Sequence, residues 1–417
     1  VWAVSFVNGA AGDDANTGTS WATAKKTVQA GLDTASVLGG QLWVTGGTYK
    51  EKITLRPGVQ AFGGFAGTEA QITDRVPATP ATVLDGELGG TVVTAPWFVG
   101  PYGALDTFTV TNGKAASGGG ILSNGGPSIR NSVITANQAT SEGGAVYSDG
   151  WPTIQGCTIT NNSSGSIGAA IRSNSSTKTW VYGNRISNNT TGNAGGAVVW
   201  NGGTHVIANN LITHNRAGWV AGVGGWSGTA TITNNTFVDN AWRGQIDLMG
   251  AWADITNNII VNGPSIGIFG DGNSASVYNN DVFGNVTNYQ GVADPGTARG
   301  NISVDPMFTD AVGNNFTLQI ASPCRDAGLD TAVWPDWLDV TGQPRIQGTH
   351  VDMGAYEFAG AVGYRWYDVL KAFRASAGLI NLSASEATYL NVVPDTGITL
   401  LDVVRLARKA NATDPNP

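Results

Sequence analysis

The sequence predicts an all-β protein, a right-handed parallel β-helix solenoid with an N-terminal cap, followed by a small α-helical C-terminal module. Three observations lead to this fold class. A nine-residue segment recurs at intervals of about 25 residues. Glycine occupies 59 of the 417 positions, roughly twice its usual share. Charged residues make up only 12 % of the chain while hydrophobic residues reach 41 %, which is typical of a turn-rich protein with a large core.

The repeated segment carries apolar residues at its first and sixth positions. Its copies begin at Leu105, Ile129, Ile154, Val181, Ile207, Ile232, Ile255 and Val277. On one straight strand, positions one and six would face opposite sides of a sheet. Both can point inward only if the chain bends between them. Asn or Gly at position three favours that bend, because both residues tolerate left-handed backbone.

A second strand-like element follows half a period later, as in GGAVYS from Gly143 and GGAVVW from Gly195. Each period therefore carries three short strands and three turns, and successive coils stack at about 4.8 Å. Equivalent residues then form rows, including asparagine ladders. The predicted ladders are Asn184, Asn210, Asn235, Asn258 and Asn280, and, at position nine, Asn137, Asn162, Asn189, Asn215 and Asn240.

The repeats and the composition divide the chain into four segments. We expect an N-terminal cap with the first coils over residues 1–100, including an amphipathic helix over residues 17–35 that follows a Trp-containing turn. Regular coils occupy residues 101–300. A C-terminal cap of the β-helix follows over residues 301–360, because an open solenoid end exposes strand edges. Residues 361–417 form the helical module.

Motifs at both ends of the solenoid resemble a known family. GTSWATA, LWVTGGTY and ITLRPGVQAFGGFAGTE look like the start of secreted bacterial right-handed β-helix proteins. NISVDPMF, FTLQIASPCRDAG and GQPRIQGTHVDMGAYEF look like the end of the choice-of-anchor Q domain, a pectin-lyase-like β-helix. The resemblance covers about residues 1–360. It implies the fold and export by a removed signal peptide to the cell surface or the extracellular space, but it implies no reaction.

The last 57 residues resemble a degenerate dockerin-like module. GYRWYDVLKAFRASAGL and ITLLDVVRLARKA have the apolar spacing of two helices. The resemblance implies calcium in EF-hand-type loops, and Asn391, Asp395 and Asp402 fall on ligand positions, but Val393 does not. We therefore expect a docking module that has lost its metal, with calcium as the alternative and no other cofactor. Its expected partners are other protein chains, copies of this one included.

The charge and the cysteines limit the partners and the chemistry. A formal charge of −8 argues against nucleic acid as a partner, because phosphate binding requires a basic face. No apolar run approaches the ~20 residues that span a bilayer. Cys157 and Cys324 form either a disulfide or two buried thiols.

Catalysis is a competing hypothesis, since pectin-lyase-like folds include lyases and glycoside hydrolases. A hydrolase requires two carboxylates about 5–9.5 Å apart. The candidate carboxylates are Asp239 and Asp247, and their polar neighbours on adjacent coils are Arg216, Arg243 and His214. The alternative is that these are scattered surface residues at turns, because no two acidic residues share one row position in consecutive coils.

Four tryptophans are candidates for stacking on sugar rings. Trp219 and Trp242 lie near the candidate carboxylates. Trp200 and Trp226 are 26 residues apart and are predicted to occupy the same place in successive coils. The alternative for the second pair is an aromatic stack that supports turns.

Three functional hypotheses follow. The sequence favours a secreted or cell-surface structural or adhesive protein, which assembles into fibres or arrays through its C-terminal module. The alternatives are a polysaccharide lyase or glycoside hydrolase and a non-catalytic carbohydrate-binding protein.

Overall fold

The chain winds into the predicted right-handed parallel β-helix, in which three long sheets run along the solenoid axis. The computed structural model describes residues 3–76, 81–174, 178–272, 275–293, 295–358 and 373. The chain divides into two units, Val1–Phe358 and Ala359–Pro417. Apart from Phe373, the second unit lies outside the described residues. The predicted module and its calcium candidates Asn391, Asp395 and Asp402 are therefore not described.

After the first strand, Ala3–Val7, which belongs to sheet A alone, each coil contributes one strand to each of three parallel sheets. Sheet A contains Ala3–Val7, Gly40–Thr45, Gln60–Phe65, Ala104–Asp106, Ser128–Arg130, Thr153–Gln155, Lys178–Tyr182, Thr204–Ala208, Thr229–Thr233, Trp252–Thr256 and Ala275–Tyr278. Sheet B contains Gly47–Tyr49, Thr82–Asp85, Phe108–Thr111, Val133–Thr135, Thr158–Thr160, Arg185–Ser187, Leu211–Thr213, Thr236–Val238, Ile259–Val261 and Asp281–Phe283. Sheet C contains Ile53–Thr54, Val93–Ala95, Ile121–Ser123, Val146–Ser148, Ile171–Ser173, Val198–Trp200, Val223–Gly225, Gly244–Leu248, Ile266–Gly270 and Thr287–Gln290.

Smaller elements complete the described chain. A short parallel sheet at the turn between sheets B and C consists of Lys114–Ser117, Gln138–Glu142, Ser163–Ser164 and Thr190–Thr191. Phe308–Asp310 and Asn315–Leu318 form an antiparallel hairpin. The helix α1 spans Val28–Leu38, and 3-10 turns lie at Trp21–Thr23, Ile72–Asp74, Thr297–Arg299 and Asp330–Ala332.

The bend inferred from the repeat lies between sheets A and B. Position three has positive φ in each coil, for example 50° at Asn131 and 67° at Gly183. Position one then points inward from sheet A and position six points inward from sheet B. Both rows belong to one continuous buried core, as Ile207 and Ile212 illustrate. The predicted alternation of strand and bend is confirmed.

Both predicted ladders are present. Asn184 donates from its backbone N and from its Nδ2 to Oδ1 of Asn210, each at 2.9 Å, and the same pair of bonds recurs up the row as far as Asn301. The position-nine row has a gap at Gly263. Gln245 fills this gap from the neighbouring strand: its Oε1 accepts from Asn240 at 3.1 Å and its Nε2 donates to Asn285 at 2.8 Å. The ladder amides are therefore satisfied by one another and by backbone carbonyls, as burial requires.

The N-terminal helix is shorter and later than predicted. It begins at Val28 rather than near residue 17, because Thr27 has an extended backbone and its hydroxyl caps the helix by accepting from the N of Ala30. Residues 18–25 instead pair with the outer edge of the first strand, where the N of Phe6 donates to the carbonyl of Gly18. Helix α1 and this segment close the N-terminal end of sheet A.

The segment 301–358 lies along the side of the solenoid. The sequence had led us to expect a cap over the C-terminal end of the solenoid. Phe308, Phe316 and Met353 pack on outward-facing residues of sheet B, among them Leu211 and Ile259. The segment also binds the bend between sheets A and B. Its contacts there are Asn234 Nδ2 with the Asp352 carbonyl (3.0 Å) and Asn257 Oδ1 with Leu329 N (2.7 Å). On sheet B itself, Arg185 Nη1 lies 2.8 Å from the Tyr356 hydroxyl.

Buried carboxyl groups fasten this segment. Asp281 is fully buried on the outer side of sheet B, where its Oδ2 lies 3.3 Å from Cys324 Sγ. Burial raises the pKa of Asp281 to about 7. Glu357 lies 3.4 Å from the buried Arg345, and burial raises the pKa of Glu357 to about 8. Cys324 and Cys157 are both free buried thiols, so the disulfide alternative is wrong.

Candidate functional site

The outward-facing row of sheet C carries the polar residues that the regular repeat does not explain. Strand register defines one outward-facing row, and from Ile121–Ser123 onwards its members are Leu122, Tyr147, Arg172, Val199, Gly224, Asp247, Phe269 and Gln290. The preceding residue of each strand points inward, as Val223 does before Gly224 and Ile268 before Phe269.

Arg243 and Asp247 form a two-pronged ion pair at this row. Arg243 Nε lies 2.9 Å from Asp247 Oδ2, and Nη2 lies 2.9 Å from Oδ1. The guanidinium also lies 4.0 Å from the ring centre of Phe269 and 4.7 Å from that of Trp219. Burial raises the pKa of the fully buried Asp247, and the hydrogen bonds from Arg243 oppose this shift. The orientation of the Arg243 guanidinium is therefore fixed, and the carboxylate of Asp247 balances its charge.

An open cleft of about 500 Å³ lies beside this ion pair. Its lining residues are Gly218, Ala241, Trp242, Arg243, Pro264 and Ser265. Trp242 is 65 % exposed and Trp219 is 49 % exposed. Trp242 has a φ of 100°, which is strained for a bulky residue, and such strain is concentrated at functional sites. The cleft thus presents the Trp242 ring and the Arg243 guanidinium to the solvent, and the half-exposed Trp219 lies beside it, against Arg243.

The other catalytic candidates lie apart from that ion pair. His214 Nε2 is 3.7 Å from Asp239 Oδ2, and both residues sit at positive φ on the turns that follow sheet B. Arg216 is exposed, and its guanidinium makes no ion pair with a described residue. Asp247 is enclosed by Arg243 and has no exposed surface, so Asp239 and Asp247 do not form the pair of accessible carboxylates that hydrolysis requires.

Trp200 and Trp226 do not share a position. Trp200 pairs with Gly225, points inward and is fully buried, because Gly225 leaves room for its ring. Trp200 is therefore unavailable to a ligand. Trp226 points outward and lies 5.4 Å from the guanidinium of Arg172, so the prediction of one aromatic pair is wrong in register.

A second arginine–carboxylate pair was missed at the sequence level. Arg172 Nε lies 3.2 Å from Glu142 Oε2, and its Nη2 lies 3.1 Å from Asn174 Oδ1. Like Asp247, Arg172 stands in the outward row of sheet C. A charged residue inside the otherwise apolar element GAAIRS was the available signal.

Comparison with known proteins supports the fold. The family model described as right handed beta helix region matches residues 117–282. A solved structure, the crystal structure of pectate lyase Pel9A, is similar with a TM-score of 0.54 and 14 % identity, over 85 % of this chain and 96 % of that one. At this identity the likeness shows a pectin-lyase-like parallel β-helix and nothing about the reaction. A search of curated proteins found no match.

In the part of the chain that the structure describes, no helix is long and apolar enough to cross a membrane.

Proposed function

We propose that this protein is an exported β-helix that binds polysaccharide at the turns that lead into sheet C, as an adhesive or structural component of the cell surface. The observation that carries the proposal is the cleft at Arg243, which the exposed ring of Trp242 lines and beside which Trp219 exposes its ring. Aromatic faces bind the apolar faces of sugar rings, and guanidinium N–H groups donate to hydroxyls.

Rigidity of the cleft supports binding. Trp219 and Phe269 hold the guanidinium between them, and Asp247 fixes its orientation through two hydrogen bonds. A preorganised surface loses little side-chain entropy when a ligand binds. The cleft is also open, which suits a polymer better than a small enclosed molecule.

A binding panel tests the proposal. The wild-type protein and Trp242→Ala are run on native gels that contain xyloglucan, galactomannan, hydroxyethylcellulose, polygalacturonate or alginate. We expect at least one polymer to retard the wild type and Trp242→Ala to lose at least fivefold in affinity. The matched control is Trp252→Ala, an exposed tryptophan of sheet A. Retention of full affinity by Trp242→Ala, or no retardation by any polymer, would reject this site.

A polysaccharide lyase is the second candidate. The fold likeness to a pectate lyase is compatible with it, and Arg216 supplies an exposed cation near the exposed pair His214 and Asp239. Incubation with polygalacturonate, alginate and glycosaminoglycans, followed by the absorbance of unsaturated products, tests this activity. Reducing-end assays on the same samples test hydrolysis. Product formation that Asp239→Ala abolishes would favour catalysis over binding alone.

The adhesive role includes residues 361–417 as a docking module for another protein chain or a second copy. Because α1 and residues 18–25 cover the N-terminal end of sheet A, end-to-end stacking of strands is blocked there. Assembly, where it occurs, is proposed to run through the module. Electron microscopy of a variant that lacks residues 361–417 tests this, and unchanged assemblies would contradict it.

A further inference from the structure

A group of exposed aromatic side chains lies on the turns from sheet C to sheet A, in the first coils. Two consecutive β-turns build the loop after Val93–Ala95, closed by Val99 N to Pro96 O at 2.9 Å and by Gly103 N to Gly100 O at 3.0 Å. Their central residues include Trp97, Phe98 and Tyr102. Trp151 occupies the corresponding turn two coils later. We call Trp97, Phe98, Tyr102 and Trp151 the turn-tip patch.

These side chains are unusually exposed for their size. Trp97 and Tyr102 are each 73 % exposed, and Phe98 and Trp151 are 47 % and 42 % exposed. Large aromatic side chains normally supply core contacts, so a group of them on the surface indicates a binding site. None of the four contributes to the cleft beside Arg243.

Backbone hydrogen bonds hold the patch in place. Gly126 N donates to Val99 O at 2.7 Å and Trp151 N donates to Gly125 O at 3.1 Å, which ties the three turns together. The ring of Trp151 lies against Gly126, where a Cβ atom would stand 2.0 Å from its Nε1. The patch therefore spans two coil spacings, about 10 Å along the axis.

Polar groups flank the aromatic rings. Asn174 Nδ2 lies 3.3 Å from the hydroxyl of Tyr147 and 3.3 Å from Oδ1 of Asp149, two residues before Trp151. Amide, hydroxyl and carboxylate groups beside flat rings match the hydroxyls and apolar faces of a sugar chain. The carboxylate of Asp149 and the net charge of −8 disfavour a polyanion.

We propose that the turn-tip patch is a second carbohydrate-binding site, separate from the cleft, and that it takes a neutral polysaccharide. A protein partner fits less well. At 150–250 Å² per aromatic side chain, the exposed parts of the four total roughly 500 Å². A stable protein interface requires about 800 Å² on each partner.

The test uses the full chain with the cleft disabled by Trp242→Ala. In that background, the double change Trp97→Ala with Tyr102→Ala removes two exposed rings, and Gly126→Ala displaces the Trp151 ring. The matched control is Gly192→Ala, because a Cβ atom there meets nothing within 4 Å. Native gels with the neutral polymers xyloglucan, galactomannan and hydroxyethylcellulose, and with the acidic polymers polygalacturonate and alginate, measure binding. Thermal unfolding checks that every variant folds.

We expect both patch variants to bind at least one neutral polymer at least fivefold more weakly than the background, with the control unchanged. Unchanged affinity in both variants, or no retardation by any neutral polymer, would overturn the proposal. Stronger retardation by polygalacturonate or alginate would overturn the neutral class. A concentration-dependent dimer that the double change abolishes would assign the patch to a second copy. Failure of the cleft appears separately, as equal binding of the wild type and Trp242→Ala.

Discussion

The outer faces of sheets B and C differ in what covers them, although the same repeat builds both sheets. In the later coils, sheet B turns Leu211, Ile259 and Val261 outward, and the segment 301–358 buries them. Sheet C turns Arg172 and Asp247 outward at equivalent places, each in an ion pair beside an aromatic ring. The interior rows fix the solenoid, while the outer rows differ with what covers them.

The difference also appears within sheet B itself. In an early coil Val133 faces solvent, whereas Leu211 and Ile259 in later coils are buried at the same row position. The burial of this row therefore rises where the C-terminal segment lies. On sheet C the outward Arg172 and Asp247 are buried as well, but they pack against ion-pair partners and aromatic rings of the solenoid itself.

The largest expected effect comes from breaking the covered face. Phe316→Ala removes a buried ring between the segment and sheet B, and such truncations cost about 3–5 kcal/mol. Phe269→Ala on sheet C is the matched control, because that ring is only half-buried, and we expect it to cost less than about 1.5 kcal/mol. Chemical denaturation measures both. Hydrogen exchange should show residues 301–358 opening first in Phe316→Ala. Equal costs would show that the two faces do not differ in burial energy.

The interior of the solenoid was predictable from the sequence because its period is local and repeated. Positions one, three and six recur in every coil, so their burial and the bend between them follow from spacing alone. The ladder continues through Gln245 where Gly263 lacks a side chain. The repeat could not reveal this replacement, because Gln245 lies on the sheet C strand Gly244–Leu248 and not at position nine. A shift of one residue likewise separated Trp200 from Trp226.

The outer face was not predictable for a different reason. The residues that cover Leu211 and Ile259 come from about 50 to 140 residues later in the chain, so no local pattern reveals the contact. Trp219, Trp242 and Arg243 were correctly grouped as neighbours, since adjacent coils bring them together. The pairing of Arg243 with Asp247, which removes Asp247 from the solvent, depended on the register of sheet C.

A smaller effect is expected from the carboxyl group buried under the segment. Because burial raises the pKa of Asp281 from 3.8 to about 7, its folded form stays protonated at pH values where the unfolded chain ionises. The contribution of Asp281 to the free energy of unfolding is fully present below about pH 4 and is lost as the pH rises toward 7. Asp281→Asn should therefore stabilise the protein at pH 8 by about 1–2 kcal/mol and have little effect at pH 4.

Urea denaturation at the two pH values checks this sign. Asp310→Asn, on the exposed hairpin of the same segment, is the control and should change stability by less than about 0.5 kcal/mol at either pH. A loss of stability at pH 8 in Asp281→Asn would mean that the ionised carboxylate is favourable where it lies.

The smallest expected effect on stability comes from Trp242, in the cleft beside Arg243. Here the free energy of unfolding and the affinity for polysaccharide should change in opposite directions. Trp242 adopts a φ of 100°, a backbone conformation that glycine adopts freely and that is strained for tryptophan. Its side chain is mostly solvent-exposed, so little packing is lost when it is removed. Trp242→Gly should therefore raise the free energy of unfolding by about 0.5–1 kcal/mol through relief of strain, offset in part by the entropy of glycine in the unfolded chain. Polysaccharide affinity should fall at least fivefold.

Trp242→Ala separates the two effects, since it removes the ring without the freedom of glycine. If Trp242→Gly destabilises the protein, the backbone at this turn is held by the tryptophan side chain, and the strain does not mark a binding site.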